Sequence, residues 1–153
     1  ASIVLCGLIG CQTLDTNQPS DWVMKGRLII RTPEQAERLN IAWRQFGADS
    51  EILFTGPLGA SIARISSQDQ LFLLEQPGEQ PRTARSLEVL VMFSTGIEIP
   101  ISAVLPVLAG EVKAVRAGKW RLEVTALDER ERPIKVSIYG PGTTIQLTVT
   151  EWQ

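Results

Sequence analysis

The sequence contains no histidine among its 153 residues. That removes Ser-His-Asp and Cys-His catalysis, together with the commonest metal ligand. Neither a Walker loop nor a GxGxxG run occurs, so no nucleotide cradle is expected. No surplus of positive charge is present: 15 Lys+Arg stand against 17 Asp+Glu, a net charge of −2. Nucleic acid as the main partner would want a basic excess to meet phosphate. The carboxylates are scattered through turns and strand edges, with no pair set out for acid–base work. Side-chain inventory thus points away from an enzyme and calls for no metal or cofactor. Internal repeats and low-complexity segments are also missing.

Only two cysteines occur, Cys6 and Cys11, both near the start. Ala1 to Gly10 is apolar and uncharged, and too short to span a bilayer as a helix. It reads as a truncated h-region of a secretory signal. Leu8-Ile9-Gly10-Cys11 resembles the lipobox of bacterial lipoproteins: two aliphatic residues, a small residue, then the cysteine that becomes the lipidated N-terminus. A buried strand with two inert thiols is the competing reading. Thr13 to Asp21 turns polar at once, as a tether does. Cleavage before Cys11 would remove Cys6, leaving one cysteine and no disulfide. Several acyl chains, at about 0.8 kcal/mol per buried methylene, make a lasting anchor. The expected organisation is residues 1–10 signal, 11–21 lipidated N-terminus and linker, and 22–153 one folded domain.

Most of that domain reads as strands. Trp22 to Arg31 is β-prone, with Gly26 marking a bulge or close approach. Leu39, Ile41 and Trp43 alternate with polar or small neighbours. Ile52-Leu53-Phe54 leads into Gly56-Pro57-Leu58-Gly59, and Ala60 to Ile65 returns, a hairpin with one large apolar side chain at its tip. Such a tip normally faces water. Leu58 therefore either folds back onto the sheet or meets something apolar outside the protein. Ser66 to Asp69 reads as a turn, Leu71 to Leu74 as a short strand, and Gln76 to Arg85 as a loop.

Helical signals follow. Ser86 suits an N-cap for Leu87 to Thr95, and Gly96 suits the C′ position. That segment has almost no polar face and is expected either to be buried or to cover an apolar surface. Ser102 to Ala109 is a second, short or kinked helix, because Pro106 removes a helix hydrogen bond. Alternation returns at Trp120, Leu122, Val124 and Ala126, then at Ile134, Val136 and Ile138, and finally at Ile145, Leu147 and Val149. Asp128 to Arg132 reads as a solvated turn, and Gly140-Pro141-Gly142 as another.

Short turns between neighbours imply an antiparallel sheet. Helices too apolar for an outer surface imply a mainly β fold with a helical plug: a curved antiparallel sheet forming an incomplete, open β-barrel around short apolar helices. The space between them is either plain core or a lipid site. Its candidate lining residues are Trp22, Ile41, Trp43, Phe54, Ile62, Leu73, Leu90, Phe93, Leu105, Ile138 and Leu147. For the aromatic ones, ordinary core is an equal alternative.

The lipobox, the Trp43 strand followed by Ile52 to Gly59, Phe93-Ser94-Thr95-Gly96 leading to Ile99-Pro100-Ile101-Ser102, and Leu105 to Gly110 together resemble the LolB family of outer-membrane lipoprotein receptors. The resemblance spans nearly the whole mature chain; the linker and loops are shorter than usual, and Pro106 replaces an ordinary helix former. It implies an open β-barrel with a hydrophobic cavity for acyl chains. It implies a monomer anchored at the periplasmic face of the outer membrane through Cys11. The expected partners are a LolA-like carrier, triacylated lipoprotein cargo and outer-membrane lipids. The membrane-insertion loop falls on Gly56, Pro57, Leu58 and Gly59, with Leu58 as the residue that assists delivery. A lipid-anchored module for another hydrophobic ligand, or a scaffold lipoprotein, are the alternatives.

Overall fold

The computed structural model describes residues 21–153. Cys6, the proposed lipidation site Cys11 and the linker lie outside the described residues. Ten strands and two helices follow one another as β1 (Trp22–Arg31), β2 (Ala36–Phe46), β3 (Asp49–Thr55), β4 (Ser61–Gln68), β5 (Leu71–Glu75), β6 (Arg82–Ala84), α1 (Leu87–Thr95), α2 (Ile101–Leu108), β7 (Ala114–Ala117), β8 (Trp120–Leu127), β9 (Pro133–Gly140) and β10 (Thr143–Trp152). The strands form one antiparallel sheet in the order β6-β5-β4-β3-β2-β1-β10-β9-β8-β7. β1 and β2 sit at its middle, and β6 and β7 are its two edges. The edges do not pair with each other, so the barrel is open along one seam.

The period-2 pattern decides the curvature. Met24, Leu28, Ile30, Leu39, Ile41 and Trp43 all point inward, while Lys25, Arg27, Arg38 and Arg44 point out. Bulges between Lys25 and Gly26 and between Phe54 and Thr55 sharpen the bend. Gly26 is required at its bulge: a Cβ there would stand 2.7 Å from the Thr148 carbonyl oxygen.

The helices close the seam. α1 lies along β4, β5 and β6, and α2 along β7 and β8. Toward the sheet's middle the gap is filled by side chains, among them Met24, Leu28, Trp43 and Leu147. α1 ends as its sequence demands. The Ser86 hydroxyl accepts from the Val89 amide at 3.3 Å, and Gly96 stands at φ 73°. α2 has no side-chain cap of its own; Glu88 of α1 accepts from its Ser102 amide at 2.8 Å and ties the two helices together. Pro106 lies in the interior of this eight-residue helix.

Several expectations are corrected. The loop Gln76 to Arg85 contains β6, and β7 precedes the Trp120 strand, so six strands and then four flank the helices. Both extra strands are short edges with little alternation to signal them. The turn expected at Ser66 to Asp69 begins only after Gln68, because Ser66, Ser67 and Gln68 pair with Leu73, Phe72 and Leu71. α1 is not buried all round: Val89, Met92 and Phe93, on one face of its two and a half turns, are exposed. α2 begins at Ile101, one residue early.

Candidate functional site

Antiparallel pairing sorts the turns between two ends of the barrel. One end holds the turn 47–48, the loop 128–132 and Trp22, where the described chain begins. Aromatic rings cover it: Trp22 lies tilted against Trp43 at 5.8 Å and edge-on to Trp152 at 5.6 Å. Beneath them the Gln45 side chain accepts from Trp43 Nε1 at 3.2 Å and from the Ser50 hydroxyl, and donates to the Gly47 carbonyl at 2.9 Å. No fully buried side-chain nitrogen or oxygen among the described residues lacks a partner.

The other end carries the turns after β1, β3, β5, β7 and β9, and the link between the helices. A pocket of about 210 Å³ opens there. Ile30, Ile97 and Trp120 give it apolar walls, and Gln35, Glu37, Glu98 and Lys119 a polar rim. Lys119 Nζ holds Glu98 Oε2 at 2.8 Å, a strap from the β7–β8 turn to the helix link. This mouth was not among the sequence-derived sites. Its members come in groups of two to four residues from three strand turns and the helix link, and no local pattern joins them.

The β3–β4 hairpin projects from the same end. Its base is closed by Gly56 and Ala60, whose N–H···O bond is 2.8 Å, and by Asn40 Nδ2 donating to the Gly56 carbonyl at 3.1 Å. Gly59 takes φ 87°, which turns the tip sharply and leaves Leu58 wholly solvent-exposed. Of the two positions open to Leu58, the folded-back one is therefore not the one adopted.

The candidate lining residues divide. Ile41, Trp43, Phe54, Leu90, Ile138 and Leu147 are buried together in the core. Trp22 closes the far end, and Leu105 is half-buried against the core. Ile62 is brought back against the core by the bulge opposite it. Two candidates stand elsewhere. Leu73 alternates with the inward-facing Phe72 and Leu74 and lies on the outer face opposite Ser66. The unbroken run Leu71-Phe72-Leu73-Leu74 hides that parity. Phe93 is 47% exposed, with the Arg82 guanidinium 3.8 Å above its ring. The interior is packed with side chains, and the mouth pocket is lined by other residues.

The chemistry open to this arrangement is apolar burial. Among the described residues no group of acidic or cysteine side chains could hold a metal ion, and no helix is long and apolar enough to cross a membrane.

Residues 20–152 match the family model described as "Outer membrane lipoprotein LolB". Two curated proteins described as outer-membrane lipoprotein LolB are similar along most of their length. One, from Thiobacillus denitrificans, is 26% identical over 86% of this chain and 80% of its own. The other, from Halorhodospira halophila, is 27% identical over 86% of this chain and 75% of its own. The fold resembles the crystal structure of a LolA superfamily protein from Nitrosomonas europaea, with a TM-score of 0.60 at 10% identity, covering 90% of this chain and 86% of that one.

Proposed function

The chain belongs to the LolB family of outer membrane lipoproteins, and from that premise we propose that it takes acylated lipoproteins from a LolA-like periplasmic carrier and inserts them into the outer membrane. It works there as a carrier and not as an enzyme, as a monomer held at the periplasmic face by lipid on Cys11. Transfer runs downhill without nucleotide, driven by more complete burial of the acyl chains at each stage; each methylene taken fully out of water is worth about 0.8 kcal/mol. The observation that supports this most is Leu58, a large apolar side chain held bare at a hairpin tip beside the mouth.

In this reading acyl chains enter at the mouth and displace side chains between the helices and the middle strands. Backbone does not bridge that region, and flexible Met24 is among its fillers. Gly56, Pro57, Leu58 and Gly59 then meet the bilayer. One leucine gains roughly 1.5–3 kcal/mol on burial, enough to touch and part lipid but not to anchor.

The test is transfer of a triacylated lipoprotein from a LolA-like carrier to the purified protein, then to liposomes. Passage through both steps supports the reading. Binding of acylated peptide without delivery would leave a hydrophobic-ligand module, and no binding at all a scaffold.

A further inference from the structure

The outer face of β1–β4 is basic, although the whole chain carries a net charge of −2. Six cations point outward from these strands, Lys25, Arg27, Arg31, Arg38, Arg44 and Arg64, against two carboxylates, Asp49 and Glu51. Lys25 pairs with Glu151 at 3.6 Å, and Arg64 with Glu51 at 3.5 Å. Arg27, Arg31, Arg38 and Arg44 join no ion pair among the described residues.

Register crowds three of them. Arg38 stands across from Ile29, Arg27 across from Asn40, and Arg31 across from Ala36. Arg38 is thus the diagonal neighbour of both Arg27 and Arg31, with Cβ separations of roughly 7–8 Å. Like charges so placed repel unless an anion lies among them. Beside them Gly26 and Ala42 leave a depression of about 410 Å³, rimmed by Lys25, Arg27 and Asn40 and walled by Leu53, Thr55 and Thr150.

We propose that this convex face is a landing surface for the anionic phospholipid headgroups of a bilayer. The topology favours a flat membrane over an acidic protein as its occupant. β1 and β2 are the middle of the sheet, so a molecule lying on them turns its seam and both helices away from the surface. The same posture lays both the start of β1, where the described chain begins, and the Leu58 hairpin between β3 and β4 along the lipid. The charge pattern stands without the transfer reading; the posture adds to it how Leu58 reaches the bilayer.

The experiment uses the mature chain, residues 11–153, with Cys11→Ser, so that neither the apolar start nor an acyl anchor masks the contact, and measures co-sedimentation with vesicles. Phosphatidylcholine mixed with phosphatidylglycerol should retain the protein, and phosphatidylcholine alone should not. Salt should release it, since the contact is screened. Reversal of Arg27, Arg38 and Arg44 to Glu should lower binding by at least about a hundredfold, at about fivefold for each cation lost before the repulsion of the new carboxylates. The matched reversal of Arg82, Arg85 and Arg130, which lie off this face, should change it little. Thermal unfolding checks that each variant is folded, and the same arginines changed to Gln replace any that is not. Equal binding to neutral vesicles would overturn the proposal, as would equal loss in the matched control. Release by inorganic phosphate beyond that by chloride at the same ionic strength would mean a free-phosphate site instead. Binding to polyglutamate but not to vesicles would mean a face for an acidic protein. None of these outcomes depends on cargo transfer, so that reading can fail separately.

Discussion

Asn40 holds the carbonyl of Gly56 at 3.1 Å, across the strand pair that ends in the Leu58 tip. The bond fixes the direction in which the hairpin leaves the barrel. Thr55 is the last residue of β3 paired with β2, so beyond it the tip has only its own turn bonds, Gly56 to Ala60 and Gly59 to Gly56, and this link to Asn40.

Asn40→Ala should cost about 1 kcal/mol of unfolding free energy, the worth of one partly buried hydrogen bond. Acceptance of cargo should be unchanged and delivery into liposomes reduced, because the tip then samples more directions. Denaturant titration and the two-step transfer assay measure the two effects. Normal delivery from a destabilised variant would show that the tip needs no such support.

Gly140 should not tolerate a side chain. A Cβ there would fall 2.6 Å from the Trp120 ring, which walls the mouth. Gly140→Ala should therefore cost about 1–3 kcal/mol by overpacking. Trp120→Leu in the same chain should recover part of that loss, a coupling that a double-mutant cycle reads directly. Additive losses would mean the contact is not the cause.

Leu90 is completely buried on α1, facing the sheet. Leu90→Ala should cost about 2–5 kcal/mol and leave a void. If acyl chains occupy this interior, the folded variant should bind an acylated peptide more tightly, because less side-chain volume must move. Calorimetry on variant and parent checks this. Unchanged or weaker binding would place the acyl chains elsewhere.

The loop from Asp128 to Arg132 has a pH signature. Asp128 is held below the ordinary carboxylate range, first by the Arg132 amide and then by its side chain and the Arg130 amide, with desolvation opposing. Its oxygens accept from the Arg130 and Arg132 amides at 2.8 and 2.9 Å, and from Arg132 Nε at 2.8 Å. The folded pKa lies below the unfolded one. The stabilisation is therefore present above roughly pH 4 and lost as pH falls through the folded value. Asp128→Asn keeps an acceptor but no charge, so its unfolding midpoint should fall less steeply between about pH 5 and pH 2 than the parent's. Parallel slopes would contradict this.

The fold was legible wherever one face of a strand is buried. Leu39, Ile41 and Trp43 are buried, and so are Ile145, Leu147 and Val149, as their alternation implied. Helix α1 was written in its caps, Ser86 and Gly96, to the residue. Its exposure was not. A helix lying in an open seam has an outer side, so Val89, Met92 and Phe93 face solvent although nothing polar marks that stripe. β6 and β7 escaped because an edge strand of three or four residues has one partner and little to bury. At the site, the two glycines around Leu58 announced the hairpin. The mouth could not be read, because Ile30, Ile97, Lys119 and Pro141 meet only when the barrel closes around the helices. The basic convex face was hidden by the balanced net charge, since its arginines appear one at a time at alternate positions of separate strands.

The central claim is that a bare leucine beside the mouth passes cargo from this protein into lipid. Leu58→Glu tests it most directly, because a wholly exposed side chain can change with little effect on stability. The account predicts an unaltered unfolding midpoint, normal receipt of lipoprotein from the carrier, and lipoprotein that stays on the variant when liposomes are added. Delivery at the parent's rate would contradict it.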